Sequence, residues 1–198
     1  MTLASRWRNK VRRRFFSPYN KLVHRCRYFI CRYFGAEFLV RSANVGGLEI
    51  SAKIAEYGEL KNFMRSAAAI KPDIFIDVGA NLGLYTCILM KNRLVPRAVL
   101  FEPDRHNRVH LGANLLINGL RFDDFCGTGQ TLAIKIDVER YEHKVLAGMA
   151  RTLRDNRGIV QIEVLEAREE TTALLSAAGF WLAQDFGPNL VFRKDRAA

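Results

Sequence analysis

Four carboxylates stand where an alternating strand-and-helix chain puts its chemistry. Asp77 lies just before a glycine-containing turn, Gly79-Ala80-Asn81-Leu82-Gly83. Glu102 closes a short apolar run, 19 positions after Gly83. Asp137 and Glu139 follow a later apolar run, Leu132–Ile136. Glycines in such a turn let the backbone approach a ligand closely and take dihedrals that other residues avoid. A carboxylate at a strand end can accept from both hydroxyls of a ribose, and the spacing of Glu102 is the one expected of a ribose-binding acid. Turn and acid together point to an adenosine-containing ligand. The turn has neither G-x-G-x-x-G nor a Walker Lys-Ser/Thr. Asp77 would repel a pyrophosphate but suits a cation or an amino group. S-adenosylmethionine carries an ammonium and a sulfonium, and it matches these acids on charge. The same residues also have plainer readings: Asp77 as a helix cap, and Asp137 with Glu139 as an acid pair at a helix N-terminus.

Alternating elements must hold these groups in place. Residues 38–54 read as short extended pieces around Gly46-Gly47, followed by a helix from Glu59 to Ala69. Asp73–Val78 reads as a strand and Leu84–Lys91 as the helix after the turn. Ala98–Phe101 is a second strand, and Asp104 caps a helix through Leu116. Then come a strand at Leu132–Ile136, a helix at Glu142–Leu153, a strand at Ile159–Glu163 and a helix at Glu169–Ala178. Trp181–Phe186 and Asn189–Arg193 flank Gly187-Pro188 as an antiparallel hairpin. This order predicts an α/β fold with a mostly parallel sheet and helices on both faces. In such sheets ligands bind at the carboxyl ends of the strands.

The charge is uneven. The 198 residues carry a net +11. Residues 1–35 hold ten Lys/Arg and no acid, which leaves the remainder at +1. The body therefore lacks the clustered cations that nucleic acid needs, and no nucleic-acid partner is expected. The division predicts a basic, aromatic-rich arm at 1–35 and a domain at 36–198. Beyond Pro18, the residues Leu22, Val23, Cys26, Phe29, Ile30 and Tyr33 recur at helical spacing. That helix would either cap the body or rest on an anionic membrane surface. No run is long enough to span a bilayer, and arginines interrupt any leader. The four scattered cysteines read as reduced thiols, with no zinc site. His106 and His110 lack the further ligands a metal requires, so no metal is expected. The chain reads as cytoplasmic, with peripheral membrane contact through the arm as an added option.

Three ordered blocks resemble one family. Phe75-Ile76-Asp77-Val78-Gly79-Ala80-Asn81-Leu82-Gly83-Leu84-Tyr85-Thr86 resembles the first motif of FkbM-type methyltransferases. Leu100-Phe101-Glu102-Pro103, with Asn114 and Asn118 in the next helix, resembles their second block. Ile134-Lys135-Ile136-Asp137-Val138-Glu139, then Val145-Leu146-Ala147-Gly148, resembles a third, and Asn189–Phe192 fits the ending. The resemblance spans about residues 55–193. It implies a class I methyltransferase, that is, a Rossmann-like three-layer sandwich. The implied activity is S-adenosylmethionine-dependent O-methylation of a hydroxyl on a saccharide or other small molecule. Carried over, Asp77, Gly79, Ala80, Asn81, Gly83 and Tyr85 would line the cofactor, and Glu102 would bind its ribose. Asp137 would lie beside cofactor and acceptor, with Glu139 as base or acceptor-orienting acid.

Two departures stand out. About 15 residues join Asn118 to Ile134 where the family places a third strand and a further hairpin. The third-strand region is thus missing, which should expose the edge of the second strand and weaken the adenine site. Arg140 replaces a family glycine. Arginine resists positive φ, so its side chain is expected to narrow the acceptor pocket or to offer a cation. Two rivals follow: a degenerate relative that keeps the fold without catalysis, and a membrane-surface adaptor acting through the arm.

Overall fold

The computed structural model describes residues 28–41, 49–50, 53, 55–120, 128–138 and 140–195. Cys26, Cys126, Glu139 and all of the arm before Tyr28 lie outside the described residues. Strands β1 (Tyr28–Tyr33) and β2 (Ala36–Arg41) form an antiparallel hairpin. The hairpin turns at Phe34-Gly35, so the arm's last strand pairs with the domain's first. This corrects the helix expected to run into Tyr33. From residue 28 the chain is a strand, with Tyr28, Ile30 and Arg32 exposed and Phe29, Cys31 and Tyr33 turned inward.

The remaining elements follow in order: α1 (Tyr57–Ile70), β3 (Ile74–Val78), α2 (Leu84–Lys91), β4 (Ala98–Phe101), α3 (Arg105–Ile117), β5 (Thr131–Ile136), α4 (Glu142–Gly148), α5 (Ala150–Asp155), β6 (Arg157–Glu163), α6 (Arg168–Ala177), β7 (Trp181–Phe186) and β8 (Asn189–Lys194). The helix expected over 142–153 is thus two short helices divided at Met149. Six strands form one sheet in the order β4-β3-β5-β6-β8-β7. Strands β4, β3, β5 and β6 are parallel, while β8 runs antiparallel to both β6 and β7. Among the described residues no strand lies between α3 and β5, and β4 is the outer strand of the sheet.

The apolar pattern explains the layering. Strands β3, β5 and β6 are buried on both faces, so they read as near-continuous apolar runs. On one face Phe75, Ala133 and Ile159 pack with Leu60 and Phe63 of α1, Ile88 of α2 and Leu111 of α3. On the other, Ile76, Ile134, Val160 and Phe192 pack with Leu146, Leu153 and Leu175 of α4 to α6.

The hairpin is tied to this body by two asparagines one turn apart on α3. Leu39 N–H donates to Asn114 Oδ1 at 2.8 Å, and Glu37 N–H donates to Asn118 Oδ1 at 2.9 Å. Asn118 Nδ2 returns a bond to Glu37 O at 2.7 Å. These amides stand in for a neighbouring strand along β2. Asn114 Nδ2 also donates to Leu82 O at 2.7 Å, so one buried side chain links the hairpin to the glycine turn. We expect Asn114→Ala to cost about 3 kcal/mol, because it strands a β2 amide and a turn carbonyl in the interior. Urea denaturation measures this.

Candidate functional site

The cross-strand register builds the floor of the site. Asp77 on β3 pairs with Lys135 on β5, and Lys135 pairs with Gln161 on β6. All three side chains are buried on the face toward α1 and α2. Such a row costs free energy unless each group is satisfied. Asp77 accepts from Thr86 Oγ1 at 2.7 Å. Lys135 Nζ donates to Asp137 Oδ2 at 2.8 Å and sits 4.8 Å from the centre of the Tyr85 ring. Gln161 Nε2 donates to the Tyr85 hydroxyl at 2.9 Å. Tyr85 and Thr86, adjacent on α2, therefore close the row from above.

Burial pushes Asp77 up to about 6, against the pull of Lys135 and of the Thr86 hydroxyl. Burial alone would favour the neutral amine at Lys135. Glu56, Asp137 and Asp77 outweigh it and hold the ammonium above its ordinary value. Burial likewise works against the Asp137 carboxylate, but Lys135 prevails and keeps its pKa below the usual range.

The glycine turn lies over this row. Gly79 has φ +82, and a Cβ there would come within 1.8 Å of Asp137 O, so only glycine fits. Gly83 has φ +78, and its Cβ would meet Leu111 at 2.5 Å. The N–H groups of Gly79 and Ala80 both donate to Phe101 O. Asn81, itself at φ +49, donates its N–H to Glu102 Oε2 at 2.7 Å. The other Glu102 oxygen accepts from Asp104 N–H at 2.9 Å. Glu102 therefore pins the turn to the end of β4, and the remaining lone pairs of its carboxylate are those a ribose would use.

One cleft brings most of the candidates together. Asp77, Gly79, Ala80, Asn81, Tyr85 and Asp137 line it, with Glu49, Glu56 and Lys135. It is small, about 90 Å³, and open to solvent. Gly83 and Glu102 support the turn from behind. The candidate base Glu139 falls outside the described residues.

Glu49, which also lines the cleft, and two further acids were missed by the sequence reading. Glu163 ends β6 beside Asp137 and shares a hydrogen bond with it. Burial and the Asp137 charge push Glu163 up to about 7. Glu56 precedes α1 and faces the cleft. No motif marked either acid; each acquires its place from strand register and packing.

Arg140 corrects a further expectation. It takes φ +77, the left-handed backbone that arginine was expected to resist. Glu142 holds its N–H at 2.9 Å. Its guanidinium meets Glu166 at 3.3 Å, and both side chains are largely exposed.

Two outcomes follow. A raised folded-state value means that Glu163 retains a proton which the unfolded chain releases. Its stabilising contribution is full at low pH and is lost as pH rises from about 4.5 to about 7. Asp77 acts in the same sense up to about 6, while Asp137 acts oppositely, below the usual carboxylate range. Glu163→Gln should therefore show a smaller fall in Tm between pH 5 and pH 8 than the wild type, measured by thermal unfolding in matched buffers. Arg140→Gly should raise stability by about 1 kcal/mol in urea, since it relieves a left-handed non-glycine residue and gives up only an exposed ion pair.

No protein-family model matches the sequence, and no curated relative does. Solved structures do match in shape. A tRNA methyltransferase of M. jannaschii aligns with a TM-score of 0.56 at 13% identity, over 87% of this chain and 58% of its own. An O-methyltransferase family protein of Burkholderia thailandensis aligns at 0.55 and 7% identity, over 77% and 59%. A Streptococcus pneumoniae protein solved with S-adenosyl-L-methionine aligns at 0.52 and 16% identity, over 71% and 74%. The chain thus spans less than two thirds of the first two proteins' length. At these identities the likeness is one of fold: a Rossmann-like methyltransferase fold, with a mostly parallel sheet that ends in an antiparallel C-terminal hairpin.

Proposed function

We propose that this chain is an S-adenosylmethionine-dependent methyltransferase of the FkbM type, acting on a hydroxyl of a saccharide or other small molecule. The observation that carries the reading is the cleft itself. Four carboxylates, Glu49, Glu56, Asp77 and Asp137, line it against a single ammonium, Lys135. That donor set fits a ligand with two cationic centres and disfavours a pyrophosphate. In this reading Asp77 and the 79–83 turn hold the cofactor's amino-acid end, and Glu102 holds its ribose. The bound cofactor supplies an electrophilic methyl group. Asp137 and Glu163 stand at adjacent strand ends, where the acceptor hydroxyl would lie. Their carboxyls can take its proton, and Glu139 is a further acid from the same sequence block. Orientation of the hydroxyl, rather than strong base strength, is the main contribution expected of the protein.

The methyltransferase-like domain runs over 36–198 in this proposal, with β1 of the basic arm paired to its first strand. Its near-neutral charge favours a small acceptor over the tRNA of some fold neighbours. Membrane contact through the arm would place the enzyme near lipid-linked acceptors. One observation favours a second reading, a non-catalytic relative. The outer strand β4 leaves Phe101 54% exposed, beside the place proposed for the adenosine.

Calorimetric titration with S-adenosylmethionine decides between the two readings. A working site should bind at about micromolar Kd, near −8 kcal/mol. Asp77→Asn and Glu102→Ala should each weaken binding at least tenfold. Absence of binding at millimolar cofactor in folded protein would favour the non-catalytic reading.

A further inference from the structure

Glu56 occupies a costly position without using it in the ordinary way. It is the residue before α1, with φ 43 and ψ 35, and its side chain makes no capping hydrogen bond to the helix. A non-glycine residue held in the left-handed region costs about 1 kcal/mol or more and persists where its surroundings demand it. Here the turn brings the Glu56 carboxylate to the wall of the cleft, across from the 79–83 turn. It accepts a hydrogen bond from the Tyr85 hydroxyl, which in turn accepts from Gln161.

Glu49 shares the cleft wall and has a partner of its own. Asp137 is bonded to Lys135 at 2.8 Å and faces Glu163. Asp77 lies beneath the turn, fully buried, with Thr86 on it. Lys135 is directed to Asp137 and the Tyr85 ring. Glu56 is solvent-exposed, faces the neutral Tyr85 phenol and acts on Lys135 through its charge, with Lys135 itself bonded to Asp137. A carboxylate has lone pairs to spare after one such bond.

On the cofactor reading above, we propose that Glu56 is the residue that receives the α-ammonium of the cofactor's amino-acid end. A ligand whose ribose lies at Glu102, on β4, crosses the turn after β3 and ends over β5. The Glu56 carboxylate lines that far end of the cleft. It is a specificity determinant for the zwitterionic tail, and it leaves the sulfonium and the adenosine to other groups.

Titration of wild type and Glu56→Gln with three probes tests this. The probes are S-adenosylmethionine, S-adenosylhomocysteine and 5′-methylthioadenosine. Glutamine retains an acceptor for Tyr85 and removes only the charge. The first two probes carry the ammonium, and the third lacks the amino-acid end. Glu56→Gln should weaken the first two by a similar factor, about tenfold, and leave the third unchanged, whatever fall in Tm the lost partner of Lys135 brings. Unchanged affinity for S-adenosylmethionine overturns the assignment. Loss confined to S-adenosylmethionine overturns it in favour of the sulfonium, and equal loss of all three overturns it in favour of a structural role. Failure of the wild type to bind any probe overturns the cofactor reading itself, and this assignment with it.

Discussion

A buried ammonium governs the site. Lys135 lies in the middle of the sheet, on a strand whose every residue is buried. Taking a charge out of water costs several kcal/mol unless partners replace the solvent. Those partners are the carboxylate of Asp137, the face of Tyr85 and the nearby charges of Asp77 and Glu56. Each is also a wall of the cleft. The arrangement that keeps Lys135 tolerable therefore fixes where the acids point. It also pulls the Asp137 pKa down while burial and the Asp137 charge push that of its neighbour Glu163 up. Structural need and chemical readiness here share one set of contacts.

The parallel half of the fold was legible because its signals are local. The apolar run Ile74–Val78, the glycines after it and the N-cap Asp104, which accepts from Asn107 N–H at 2.8 Å, each act within a few residues. The Gly187-Pro188 turn marked the final hairpin in the same way. Residues 28–33 misled because Phe29 and Tyr33, four positions apart, satisfy a helical spacing and a strand equally well, while Ile30 turns outward. Antiparallel pairing across Phe34-Gly35 and the amides of Asn114 and Asn118 decide for the strand. Neither asparagine announces that partner in sequence. Among the site residues, those inside contiguous motifs could be named. Glu56 and Glu163 could not, since what makes them neighbours of Asp137 and Lys135 is the folded register. Arg140 shows a rule overridden, as its backbone keeps a conformation suited to glycine while the Glu142 side chain anchors it.

The turn and β4 depend on each other. Glu102 uses one oxygen on Asn81 and the other on Asp104, and Phe101 O takes two further turn amides. A four-residue outer strand thus stabilises the turn through its last residue and the one that follows it. The same strand, outermost among the described residues, presents Phe101 to solvent. The solved neighbours share the fold at 7 to 16% identity, so what is particular to this chain lies in such strand-end details rather than in the scaffold.

The asparagine clamp also sets a timetable. The bonds from β2 to α3 join residues 75 and 81 positions apart. At ribosomal rates of about 5–20 residues per second, the hairpin waits on the order of 4–16 s before its second edge can be covered. A two-stranded hairpin is marginal in water by itself. During that interval the core that buries Phe38 and Val40 lacks the α3 side chains Leu111 and Leu115, so the backbone edge of β2 is the last part of the hairpin to be covered.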